Sequence, residues 1–170
     1  MLPPPTLPVS AMCSKASAES WKAQATYPAV KALAQPKYLV DAGPLIALLN
    51  LRDQWHDWAE QALDVLAGPL WTSEVVLAEV CYNLGQNTAA VHRLLGLIRS
   101  GHVRTLSVVD ANADRLVNLM TKYERMDICD GSLVVLSEQF PNAKIITVDL
   151  RDFPVYRRFG REPLPLIMPA

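Results

Sequence analysis

Five acids occupy places where a carboxylate is costly unless something uses it. Asp41 follows the apolar run 38–40 and Asp149 follows 144–148, each run short and apolar enough to be a buried strand. An acid at the rim of such a strand loses solvation that a divalent cation would restore. Glu79 lies among Val75, Val76 and Val80, where a carboxylate needs a partner. Asp127 and Asp130, in MDICDGSLVVL, are three apart and share a face once the helix has begun. Four or five acids converging on one crevice repel one another, and binding a cation is the usual resolution.

The chemistry that suits such a set is metal-assisted hydrolysis. Mg²⁺ prefers oxygen ligands and keeps several waters, so a few carboxylates suffice. An ion so held activates water and stabilises a leaving oxygen, which permits phosphodiester hydrolysis with no histidine base. Other chemistries lack their parts. His56, His92 and His102 are scattered without Ser-His-Asp spacing, and no Gly-rich phosphate loop follows either main strand. A phospho-acceptor domain needs a lysine at a late strand end, whereas Lys144 begins its strand. A phosphatase with an aspartyl nucleophile needs a second acid where Gly43 stands.

The elements that must position these acids are readable from hydrophobic pattern. YLV reads as a strand that turns at once into the helix PLIALLN, with Pro44 in its first turn. A helix is expected over 54–67, ended by Gly68 and Pro69. LWT is a very short strand, Ser73 a helix N-cap, and EVVLAEVCYNL a helix stopped at Gly85. A further helix covers 87–100, VRTLSV is a strand, and Asp110 is expected to cap a helix over 111–124. A helix over 128–139, the strand KIITV and a closing edge strand LPLIM complete the chain. Strands alternating with helices predict an α/β domain with a mostly parallel sheet covered on both faces.

Of the 170 residues, 51% are hydrophobic and 19% charged, which suits one globular domain. The domain is expected over 38–170, after a Pro-, Ala- and Ser-rich arm over 1–37 that reads as loosely ordered, with Met12 as an alternative start. A net charge of −1 supplies no global field to attract nucleic acid, so phosphate contacts must be local. The three cysteines show no metal or disulfide spacing, and Cys81 and Cys129 read as packing residues. No apolar run approaches the roughly 18 residues that span a bilayer. The opening MLPPPTLPVSAMC lacks the basic and apolar regions of a signal peptide, so no membrane association and a cytoplasmic location are expected.

VDAGPLIALLN, WTSEVVLAEV, MDICDGSLVVLSE and IITVDLRDFPVYR, in that order, resemble the PIN-domain nucleases, especially the VapC-type toxin ribonucleases. The resemblance covers about 38–168. It implies a three-layer α/β/α domain and a Mg²⁺- or Mn²⁺-dependent ribonuclease acting on RNA as the toxin of a type II toxin–antitoxin pair. It assigns the catalytic metal-site roles to Asp41, Glu79, Asp130 and Asp149. A homodimer and a small antitoxin protein are the implied partners. This chain departs from the pattern in having Ala42 and Gly43 where many relatives place Thr or Ser after the first aspartate. Thr72, Ser73 or Thr147 is then the source of the hydroxyl, if one is used. A structure-specific DNA nuclease and a catalytically inactive PIN-like binding module are the alternative functions.

Several residues keep two readings. Asp127 is a fifth metal ligand, a supporting acid or the N-cap of the next helix, with the supporting roles favoured. Arg151, Arg157, Arg158 and Arg161 either meet RNA phosphates or form a salt-bridged surface. Trp55 and Trp58 line an antitoxin groove or pack on the sheet. Asp152 reads as a surface or capping residue.

Overall fold

The computed structural model describes residues 35–170, so the arm reading for 1–37 falls outside the described residues up to position 34. Strand β1 is Tyr38–Val40, and its Leu39 and Val40 are fully buried. Asp41 extends the ladder by one bond, its N–H donating to Ile146 O at 3.0 Å. The chain then turns directly into α1 (Ala42–Leu49), because the Asp41 carboxylate accepts the Ala42 N–H and caps the helix.

Helix α2 (His56–Asp64) precedes β2 (Leu70–Ser73). The Ser73 hydroxyl accepts the Val76 N–H and starts α3 (Glu74–Leu84), which ends at Gly85 with a φ of 58° that favours glycine. Asn87 caps α4 (Thr88–Arg99) and β3 (Val103–Leu106) follows. Next come α5 (Ala113–Lys122), α6 (Ile128–Gln139) and β4 (Lys144–Ile146). Two short strands, β5 (Arg157–Arg158) and β6 (Glu162–Pro163), pair antiparallel with each other, and β7 (Leu166–Ile167) closes the chain.

The main sheet has the order β3-β2-β1-β4-β7, and every pairing in it is parallel. Parallel strands all deliver their carboxyl ends to one edge, which is how residues far apart in sequence reach one crevice. Helix α6 packs on β1, β2 and β4, with α5 laid over it, while α1 packs with α2, α3 and α4. Residues Leu133, Val134 and Leu136 of α6 are fully buried, as expected of a helix enclosed in the domain core. This is the α/β/α arrangement expected, with helices flanking a central parallel sheet.

Two local expectations change. Asp110 does not cap a helix with its side chain; a 3-10 turn over Asp110–Asn112 intervenes and α5 begins at Ala113. Strand β4 stops at Ile146, so Asp149 lies beyond the ladder rather than directly after it. The reason is local: the Thr147 hydroxyl accepts the Asp149 N–H at 3.0 Å, and this turns the chain out of the sheet.

Gly43 explains one departure from the family pattern. A Cβ added there would lie 2.5 Å from Val148 Cγ2, so the first turn of α1 can approach the loop after β4 only without a side chain. Gly43→Ala is therefore expected to lower stability by about 1–3 kcal/mol despite the better helix propensity of alanine. Adding Val148→Ala should recover most of the loss. Denaturant melts of the single and double variants check this; an unchanged Gly43→Ala midpoint would show that Val148 moves freely.

Candidate metal centre

Asp41 stands at the carboxyl edge of the sheet, directly after β1, and is only 8% exposed. Its Oδ1 accepts from Ala42 N at 2.7 Å and its Oδ2 from Thr147 Oγ1 at 2.8 Å. Burial nevertheless pushes its pKa up to about 7, against those two hydrogen bonds, and the charges of Glu79 and Asp149 push the same way. Thr147 joins two acids, since its hydroxyl donates to Asp41 and accepts from the Asp149 N–H. Of the three hydroxyls suggested by sequence, Thr72 donates to Val40 O and Ser73 pairs with Ser132, so only Thr147 touches an acid of the crevice.

Asp149 sits in a tight turn, its Oδ1 accepting the N–H groups of Arg151 and Asp152. Asp130 lies in the first turn of α6, and its Oδ2 accepts the Tyr156 hydroxyl at 2.9 Å. Burial raises its pKa to about 7, and Asp127, Asp41 and Asp149 add repulsion that the Tyr156 bond only partly offsets. Asp127 is exposed and caps α6, its Oδ1 accepting the Asp130 N–H at 2.9 Å. Asp127 thus caps the helix, and its carboxylate also lies within ligand distance of Glu79.

Glu79, on α3, is also raised, by burial first and then by the Asp127 charge, while the Cys129 thiol opposes the shift. Ligand atoms of Glu79, Asp127 and Cys129 lie within 4.8 Å of one another and form the tightest such group among the described residues. Asp41, Asp130 and Asp149 are outside that group but linked to it by charge: Asp41 feels Glu79 and Asp149, and Asp130 feels Asp127, Asp41 and Asp149. Cys129 is buried, and its thiol is held protonated, by burial first and then by Glu79. A protonated thiol, here donating to the Val75 carbonyl at 3.5 Å, is not a competing soft ligand.

The donors available to an ion are therefore carboxylate oxygens, which suit a hard divalent cation. Among them, Asp130 Oδ1 and Asp149 Oδ2 accept no protein hydrogen bond among the described residues. Desolvated, mutually repelling acids with free oxygens fit a cation in a way that a set of salt-bridged acids does not.

The arginines divide by role. Arg157 Nη1 donates to the carbonyls of Pro154, Val155 and Tyr156, and Arg158 Nη1 to Pro141 O, so both brace the C-terminal segment. Arg151 and Arg161 are exposed. Asp152 pairs with Arg125 at 2.9 Å. Trp58 packs against the core, and Trp55 is half-buried.

The family model of the PIN domain matches residues 38–158, from β1 through the segment that carries Tyr156. This chain belongs to the PIN domain family. A relative of the domain, the ribonuclease VapC26 of Mycobacterium tuberculosis, is 27% identical over 127 residues, which cover 72% of this chain and 93% of that protein. Among solved structures, the M. tuberculosis VapC20 toxin, titled as cleaving the sarcin-ricin loop, superposes with a TM-score of 0.57 at 17% identity over 64% of this chain and 86% of its own. A toxin–antitoxin complex from Klebsiella pneumoniae gives 0.53 at 21% identity, covering 68% and 89%. VapBC2 of Rickettsia felis, solved on a promoter DNA fragment, gives 0.53 at 14% identity, covering 78% and 98%. These structures share the fold of this PIN domain. Its described helices include none long and apolar enough to cross a membrane.

Sequence reasoning missed Tyr156 and the Glu79–Cys129 contact. Tyr156 lies inside IITVDLRDFPVYR, but nothing local in that motif signals that its hydroxyl returns to Asp130.

The raised acids set the pH response of the metal-free protein. Asp41 and Asp130 keep their protons in the fold at pH values where the unfolded chain has lost them. Their contribution to stability is complete below the ordinary value of 3.8 and is lost as pH rises through about 7. The EDTA-treated protein should melt lower at pH 8 than at pH 5, and Asp130→Asn should shrink that difference and raise Tm at pH 8 by about 2–5 °C. Melting curves of both proteins at both pH values test it; a steeper decline in the variant would contradict the burial of Asp130.

Proposed function

We propose that this PIN domain, spanning 38–170, is a metal-dependent ribonuclease that hydrolyses RNA phosphodiester bonds as the toxin of a type II toxin–antitoxin pair. The observation that carries the reading is the crevice at the carboxyl edge of the sheet. There Asp41 is buried with its pKa raised to about 7 and other acids press on it, with no basic side chain hydrogen-bonded to it among the described residues. Membership of the PIN family and similarity to a ribonuclease of the VapC type support the reaction class.

In this reading Asp41, Glu79, Asp130 and Asp149 hold Mg²⁺ or Mn²⁺. Asp127 caps α6 and adds negative charge beside Glu79. A bound divalent ion supplies Lewis-acid activation of water and neutralises charge on the scissile phosphate. The protein's own contribution is positional: Thr147 and the Ala42 N–H orient Asp41, the turn amides orient Asp149, and Tyr156 contacts Asp130. Exposed Arg151, two residues past the turn acid Asp149, is available to meet an RNA phosphate in this reading, whereas Arg157 and Arg158 serve the fold. The reading places the protein in the cytoplasm, paired with itself and with a small antitoxin.

Asp130→Asn should reduce cleavage of a mixed RNA pool about a hundredfold, because losing about 3 kcal/mol of metal-dependent stabilisation has that effect. Asp152→Asn, which breaks only a surface ion pair, should cleave like wild type, and EDTA should abolish both activities. Wild-type cleavage by Asp130→Asn in saturating Mg²⁺ and Mn²⁺ would sink the proposal, and preferential cleavage of structured DNA would replace its substrate.

The pairing has its own test. Val117 and Met120 stand exposed on α5, at 63% and 39%, and offer an apolar patch for a second copy. Light scattering at tens of micromolar, a concentration chosen as an assay condition, is expected to give a dimer, and Val117→Asp with Met120→Asp to give a monomer. A wild-type monomer would remove the dimer from the reading.

A further inference from the structure

We propose that Tyr156 is a positioning residue of the metal centre: its hydroxyl clamps Oδ2 of Asp130 so that Oδ1 faces the cation. The inference rests on the metal-dependent reading above and adds a residue to it.

Tyr156 is 2% exposed, and its hydroxyl reaches Asp130 Oδ2 at 2.9 Å across 26 positions of sequence. Its ring is held edge-on by Tyr123 and by Phe153, with centroids at 5.2 and 5.6 Å. A ring fixed by two such contacts cannot swing away, so the hydroxyl has one place to be. The acid it holds has reason to move. Asp130 is pressed by Asp127, Asp41 and Asp149, and rotation of an unrestrained carboxylate toward solvent would relieve that repulsion at little cost. The phenol removes this freedom while leaving Oδ1 without a protein donor among the described residues. Hydrogen-bond partners behind a metal ligand commonly change ion affinity by about 10- to 100-fold when removed, because they orient the ligand.

The same stack contains its own control. The Tyr123 hydroxyl is also buried, yet makes no hydrogen bond among the described residues. Two neighbouring phenols therefore differ in one respect that matters: only Tyr156 touches an acid.

Tyr156→Phe keeps the ring and removes the donor. Calorimetric titration of the full chain with Mn²⁺ should show its Kd raised about tenfold, while Tyr123→Phe stays within about twofold of wild type. In RNA cleavage, the Mn²⁺ concentration for half-maximal rate should rise by the same factor, with the rate at saturation within about threefold of wild type. Thermal melts run alongside report any loss of fold. If wild type binds Mn²⁺ and Tyr156→Phe binds it equally well, the clamp is wrong and the ribonuclease reading stands. If Tyr123→Phe weakens binding as much as Tyr156→Phe, ring packing and not the hydroxyl is responsible, and the clamp is again wrong. A wild-type protein that neither binds Mn²⁺ nor cleaves RNA overturns the ribonuclease reading and takes the clamp with it.

Discussion

Asp41 is held at the end of β1 by two donors, the Ala42 N–H and the Thr147 hydroxyl, in a place where water barely reaches it. Those bonds fix its orientation but do not compensate its burial, since its pKa still rises to about 7. Every other feature of the crevice answers to this buried acid. Thr147 ties it to the turn of Asp149, Glu79 and Asp149 repel it, and Asp130 is raised in part by its charge. A group of acids so arranged would spring apart unless the frame around it were rigid.

The frame is rigid for identifiable reasons. Parallel strands with fully buried Leu39, Val40, Ile145 and Ile146 cannot shift register without moving their side chains out of the core. Helix α6 is enclosed on nearly all sides, so Asp130 and Cys129 at its start inherit the precision of the core. Gly43 lets the first turn of α1 lie close to Val148, next to Asp149, where a Cβ would collide. Close packing thus sets the spacing of charges that would otherwise separate.

Hard and soft chemistry are kept apart within a few ångströms. Cys129 sits inside a group of ligand atoms with Glu79 and Asp127, yet burial and the neighbouring acids keep its thiol protonated, and the thiol donates to the Val75 carbonyl at 3.5 Å. Arg157 and Arg158 are engaged by backbone carbonyls, while Arg151 and Arg161 stay exposed.

Much of the fold was readable from sequence because it is encoded locally. Apolar runs set β1, β2 and β4, Ser73 and Gly85 bounded α3, and alternation of strand and helix required a parallel sheet whose carboxyl edge gathers Asp41 and Asp149. Asp110 misled because a capping residue type is also at home in a 3-10 turn, and local pattern does not separate the two. The five acids could be picked out because a carboxylate in an apolar setting is conspicuous in any sequence. Their partners could not. Thr147 meets Asp41 across 106 positions and Tyr156 meets Asp130 across 26, and such bonds depend on how strands and loops stack rather than on residue type. Sequence by itself determined the order of elements and singled out the acids as candidates. Only the tertiary structure decided which oxygens of Asp41, Asp130 and Asp149 accept a protein hydrogen bond, because that is set by packing between segments that no local periodicity connects.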